Sequence, residues 1–122
     1  MIIQNVIQPD ALIRVRFLTP EEGGRKTPVI VTWTQGQQTG YGCPMRINGS
    51  LHDFRTLISK NTTYVPGKTY GLNIKFLCSE TVLPKLHIGL EVELWEGKTI
   101  ATGFVEKINV EGINNNENSN SE

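Results

Sequence analysis

A glycine pair followed by two cations is the feature here whose residue types and spacing could bind something. Gly23-Gly24 is preceded by Glu21-Glu22 and followed by Arg25-Lys26-Thr27-Pro28. Adjacent glycines accept positive φ without steric cost and let another molecule approach the main chain. Arg25 and Lys26 then present two cations on a sharply shaped loop. The segment reads either as a recognition loop for an anion or partner, or as a tight turn with solvated charges. A β-branched residue at Gly24 is expected to meet an unfavourable φ. Replacing Arg25 and Lys26 by Ala is expected to reduce anion binding and leave stability nearly unchanged.

Other candidate chemistry is thin. Cys43 and His52 are nine apart, as are Cys78 and His87. Two Cys and two His could fill a tetrahedral zinc site, but structural zinc ligands usually sit two to four residues apart. His52-Asp53 offers an imidazole beside a carboxylate, yet neighbouring strand residues point to opposite faces. Glu91 and Glu93 share a strand face and read as solvated carboxylates. Trp33 and Trp95 read as packing or rim residues. The chain has no G-x-x-x-x-G-K-[ST] phosphate loop and no G-x-S-x-G nucleophile elbow. No enzyme activity, metal or cofactor is expected.

The elements that must position the loop are strands. In 12–18, Ile13, Val15 and Phe17 alternate with Arg14 and Arg16, the period of a half-buried strand. Tyr70, Leu72, Ile74 and Phe76 do the same over 69–77, and Leu90, Val92 and Leu94 over 90–95. Strands are also read at 29–34 and at about 98–108, where Ile100, Phe104 and Ile108 sit amid small residues. Asn48-Gly49 and Glu96-Gly97-Lys98 mark hairpins, and Pro66-Gly67 fits a type II turn. Residues 35–40 read as an exposed loop. No segment shows a convincing period of 3.6; a helical turn within 53–60 is the nearest. The pattern predicts an all-β antiparallel barrel or sandwich.

The 122 residues suit one domain, 38% hydrophobic and 7% aromatic. Residues 1–10 are read as an N-terminal extension, 11–110 as the barrel and 111–122 as a disordered Asn/Ser-rich tail. Twelve basic and twelve acidic residues cancel, so no global field draws the chain to nucleic acid or membrane. Residues 11–80 carry a balance of +5, and 81–122 a balance of −4. Either the first block forms a basic face, or folding mixes the charges. No apolar run is long enough to span a bilayer, and no signal peptide is evident. A cytoplasmic monomer with two free thiols is expected.

Several of these residues together resemble a known family. Phe17-Leu18-x-x-Glu21-Glu22-Gly23-Gly24-Arg25-Lys26-Thr27-Pro28 looks like the start of the C-terminal, third-domain β-barrel of bacterial elongation factor Tu. Gly40-Tyr41-x-Cys43-Pro44, Pro66-Gly67, Ile74-Lys75-Phe76-Leu77 and Leu94-x-Glu96-Gly97-Lys98-Thr99-x-Ala101-x-Gly103-x-Val105 follow in the family's order. The resemblance spans roughly 11–109 and implies a small six-stranded antiparallel Greek-key β-barrel standing alone, without the GTPase domain. It implies binding to the T-arm of tRNA or to a translation component. Gly23, Gly24, Arg25 and Lys26 would form one contact loop and Gly97 and Lys98 a turn approaching the same arm. Gly42-Cys43 replaces an Arg usual before Pro44, Met45 replaces a polar residue, and the 29–39 segment is longer than the family's. The alternative is a protein-interaction module that imitates the factor's barrel, such as a decoy or immunity protein against a translation-targeting toxin.

Overall fold

The computed structural model describes residues 6–109. Its strands are β1 (Ala11–Phe17), β2 (Val29–Val31), β3 (Thr39–Ile47), β4 (Ser50–Leu57), β5 (Thr62–Tyr64), β6 (Thr69–Phe76), β7 (Glu91–Trp95) and β8 (Thr99–Ile108). A 3₁₀ turn covers Pro20–Glu22, and a short helix, α1 (Ser79–Val82), runs into a second 3₁₀ turn at Leu83–Lys85. Six strands close a barrel in the order β1-β6-β4-β3-β7-β8, and every neighbouring pair is antiparallel. β3, β4 and β6 lie side by side in chain order, and β7 then returns beside β3, which is a Greek key. Of the antiparallel barrel or sandwich expected from the alternation, the barrel is the fold, closed by six strands.

The alternating residues fill its interior. Ile13, Val15, Phe17, Leu72, Ile74, Phe76, Leu90, Val92 and Leu94 are buried, joined by Met45, Ile47 and Phe54. β8 departs from strict alternation. A register shift between Leu94 and Trp95 leaves both Ile100 and Ala101 buried and turns Phe104 outward. A second shift, opposite Leu12/Ile13, returns Ile108 to the edge of the core.

The turns follow their residues. Asn48 (φ 49°) and Gly49 (φ 86°) close the β3–β4 hairpin with two left-handed residues, the requirement of a type I′ turn. Gly67 takes φ 88° after Pro66. Three expectations need adjustment. Asp53 to Leu57 is strand, not helix, because β4 pairs with both β3 and β6. The strand at 29–34 stops at Val31, and the loop at 35–40 gives way to β3 at Thr39. The helix at 79–82 was not foreseen, since four residues cannot display a helical period.

β2 pairs only with β5, forming a separate ribbon. Val29 and Tyr64 are its buried anchors. Tyr64 stacks on Phe17 (ring centroids 5.5 Å) and meets Tyr70 and Tyr41 edge-on at 5.1 and 6.3 Å. This aromatic cluster seats the ribbon over the end of the barrel where β1 finishes.

Asp10, in the segment read as an extension, is built into the barrel. It is 5% exposed. Its carboxylate accepts from the Phe76 N–H at 2.8 Å, the Ser79 hydroxyl at 2.6 Å and the Lys75 ammonium at 3.1 Å. It thereby ties the chain before β1 to the corner between β6 and α1. The tail read as disordered lies outside the described residues. Asp10→Ala would leave the Phe76 N–H unpartnered and should lower the unfolding free energy by about 2–3 kcal/mol. Urea denaturation measures this, and Asp10→Asn should recover part of the loss.

Candidate functional site

The Glu21–Pro28 loop is shaped by its own hydrogen bonds. Thr19 and Glu22 form a capping box: the Glu22 N–H donates to Thr19 Oγ1 (3.2 Å), and the Thr19 N–H donates to Glu22 Oε1 (2.8 Å). Arg16 reaches the same carboxylate at 2.9 Å. The Thr19 N–H, and then Arg16, hold the Glu22 carboxyl below its ordinary range. Gly23 ends the turn at φ 92°, and its N–H donates to the Pro20 carbonyl.

The two glycines have different roles. Only Gly23 takes positive φ. Gly24 is buried, and a Cβ there would lie 2.3 Å from the Leu18 carbonyl oxygen. The obstacle to a side chain at Gly24 is thus this close approach, not an awkward φ.

Arg25 turns away from solvent. Its Nη1 donates to Glu96 Oε1 at 2.6 Å and its Nε to the Thr27 carbonyl at 3.1 Å. The other Glu96 oxygen accepts from the Tyr41 hydroxyl. Glu96 opens the β7–β8 turn, where its N–H donates to the Lys98 carbonyl and Gly97 takes φ 74°. The Gly23–Lys26 loop and the Gly97-Lys98 turn are therefore pinned together. Desolvation, and then the Glu96 hydrogen bond, push the Tyr41 phenol far above its usual range, so it stays a donor.

A third turn joins them. The Gly67 N–H donates to the Phe17 carbonyl (2.7 Å), and the Phe17 N–H to the Lys68 carbonyl (2.9 Å). This end of the barrel thus carries Lys26, Lys68 and Lys98, all exposed and without an ion pair among the described residues. Sequence reasoning named Lys26 and Lys98 but missed Lys68, and it missed Glu96 and Tyr41 as the clamp. Both clamp residues lay within quoted motifs; what hid them was that their partner is 71 residues away for Glu96 and Arg25.

The remaining candidates are dispersed. Cys43 is buried and Cys78 exposed. His52 Nε2 is buried without a hydrogen-bond partner, and desolvation, then Lys85, lower its pKa. His87 is exposed. Among the described residues, no group of three or more His, Cys, Asp or Glu could hold a metal ion. Trp33 Nε1 donates to the Gln37 carbonyl (2.8 Å), and the Arg46 guanidinium lies 5.8 Å from the Trp95 ring centre. The +5 and −4 blocks are mixed by folding: Arg14 pairs with Glu106, Arg25 with Glu96 and Arg46 with Glu93.

A scan against protein-family models found none that matches the chain, and a search of curated proteins found no similar one.

Arg25→Ala should cost about 1–3 kcal/mol by stranding Glu96, whereas Lys26→Ala should be nearly neutral; thermal and urea unfolding distinguish the two. Gly24→Val should be the more damaging loop change. Burial pushes the Cys43 thiol up to about 11, so the native protein should react with Ellman's reagent at pH 8 through Cys78 alone. Cys78→Ser should abolish that reaction.

Proposed function

We propose that the chain is a non-enzymatic binding domain linked to translation, acting as a cytoplasmic monomer. The end built from the three turns holds the phosphate backbone of tRNA. One observation carries the reading: the Arg25–Glu96 bridge gathers two loops, with the 65–68 turn beside them, into a surface bearing three lysines that have no ion pair among the described residues. The ordered motifs resembling elongation factor Tu supply the link to translation. Lys26, Lys68 and Lys98 supply the charge, and Gly23 and Gly97 keep the turns slim enough for close approach. Arg25 positions the surface rather than touching the ligand.

A second reading is favoured by a separate observation. Ile30, on the ribbon above this end, is 72% exposed, and Arg25 is already neutralised. An exposed apolar side chain there suits the apolar core of a protein interface, as for a decoy or immunity protein that imitates the factor's barrel.

Titration with mixed tRNA, followed by Trp33 and Trp95 fluorescence, separates the two. Three phosphate contacts should weaken binding by up to about fortyfold between 50 and 200 mM salt. The Lys26/Lys68/Lys98 triple Ala variant should lose most of that salt dependence while remaining folded. No binding at 50 mM salt would overturn the RNA reading and leave the protein partner.

A further inference from the structure

The outer wall of the barrel carries a feature unconnected with the lysine-bearing end. A depression of about 640 Å³ lies over β7 and β8, lined by Arg46, Glu91, Glu93, Thr102 and Phe104, among others. Gly49 and Gly89 lie on its rim, and a Cβ at either would meet nothing within 4 Å. Phe104 is 41% exposed. Strand register sets it opposite Glu91 on one side and Arg14 on the other.

The charges around Phe104 are unequally committed. Arg14 is held by Glu106 at 2.7 Å. Glu93 accepts from the Thr99 hydroxyl at 3.0 Å and lies 3.7 Å from Arg46 Nε. That contact is an ion pair without a hydrogen bond, for Arg46 Nε is buried and has no hydrogen-bond partner. Glu91 is exposed and has no ion pair among the described residues. Register thus sets an outward aromatic ring opposite a carboxylate that has no ion pair among the described residues, with a loosely held carboxylate one row away.

We propose that this depression docks a basic segment of a protein partner. One arginine or lysine side chain lays its apolar stem across Phe104 and sets its cation on Glu91. Long basic side chains bury their stems on apolar surface while keeping the charged head in water. The ring face adds attraction for the cation. An exposed ion pair alone contributes little, so the ring and the carboxylate must act together. Phosphate backbones are disfavoured here because Glu91 repels them and Arg46, the cation in the lining, already faces Glu93. The proposal stands independently of tRNA binding at the other surface.

The test is a titration of the ¹⁵N-labelled full chain with acetylated, amidated penta-arginine, using penta-glutamine as the uncharged control. Amide shifts should centre on Glu91, Glu93, Thr102, Gly103 and Phe104, and penta-glutamine should not reproduce them. Glu91→Gln and Phe104→Ala should each weaken penta-arginine binding by about threefold or more while keeping a folded spectrum. Shifts spread evenly over exposed carboxylates such as Glu21 and Glu80 would overturn the proposal, as would unchanged affinity in both variants. Concentration-dependent shifts at Phe104 without peptide would also overturn it, since a second copy of the chain would then fill the depression.

Discussion

Strand β1 hydrogen-bonds along both of its edges, to β6 and to β8, and that double pairing closes the barrel. Closure removes the open edges that an antiparallel sheet of this size would otherwise expose. It also demands intimate contact. A Cβ on Gly103 would fall 1.8 Å from the Arg14 carbonyl oxygen, so only glycine lets β8 press against β1 at that point. Ile13, Val15 and Phe17 then fill the interior, and Phe17 at the strand's end founds the aromatic stack on which the β2–β5 ribbon rests. The lysine-bearing end is one layer further out: loops and turns held in place by a barrel that is already shut.

Much of this was legible because two-residue periodicity and turn chemistry are local. β1, β6 and β7 could be read from alternation, and the Asn48-Gly49 and Gly97 turns from their residue types. What escaped depended on partners far along the chain. The phase change in β8 comes from register shifts against its neighbours, so Phe104 faces out although its own surroundings give no sign of it. Asp10 looks like a polar residue in an N-terminal extension until its carboxylate is placed against β6 and α1. The site followed the same rule. Lys26 and Lys98 were visible as exposed cations, but Arg25 looked equivalent to Lys26 until Glu96 was placed beside it.

That distinction reorganises the electrostatics. The chain's basic first part and acidic last part are a linear pattern. The barrel brings β1 beside β8 and β3 beside β7, and Arg14 and Arg46 find carboxylates there. Lys26, Lys68 and Lys98, without an ion pair among the described residues, sit on loops and turns, where register supplies no opposite neighbour. Four of the five ion pairs among the described residues use a guanidinium, with its fixed fork of donors, and the fifth is the Lys75 ammonium on Asp10.

The way the chain enters and leaves the barrel has a modular consequence. The Asn109 N–H donates to the Asp10 carbonyl at 2.8 Å, and its side-chain amide donates to the Pro9 carbonyl at 2.6 Å. The two crossing points are therefore neighbours, each fastened to the other. A larger protein could be interrupted at a surface loop and resumed after this barrel, its two cut ends held about one strand spacing, roughly 5 Å, apart. Such a geometry makes the barrel a cassette, portable between hosts without asking either partner to unravel.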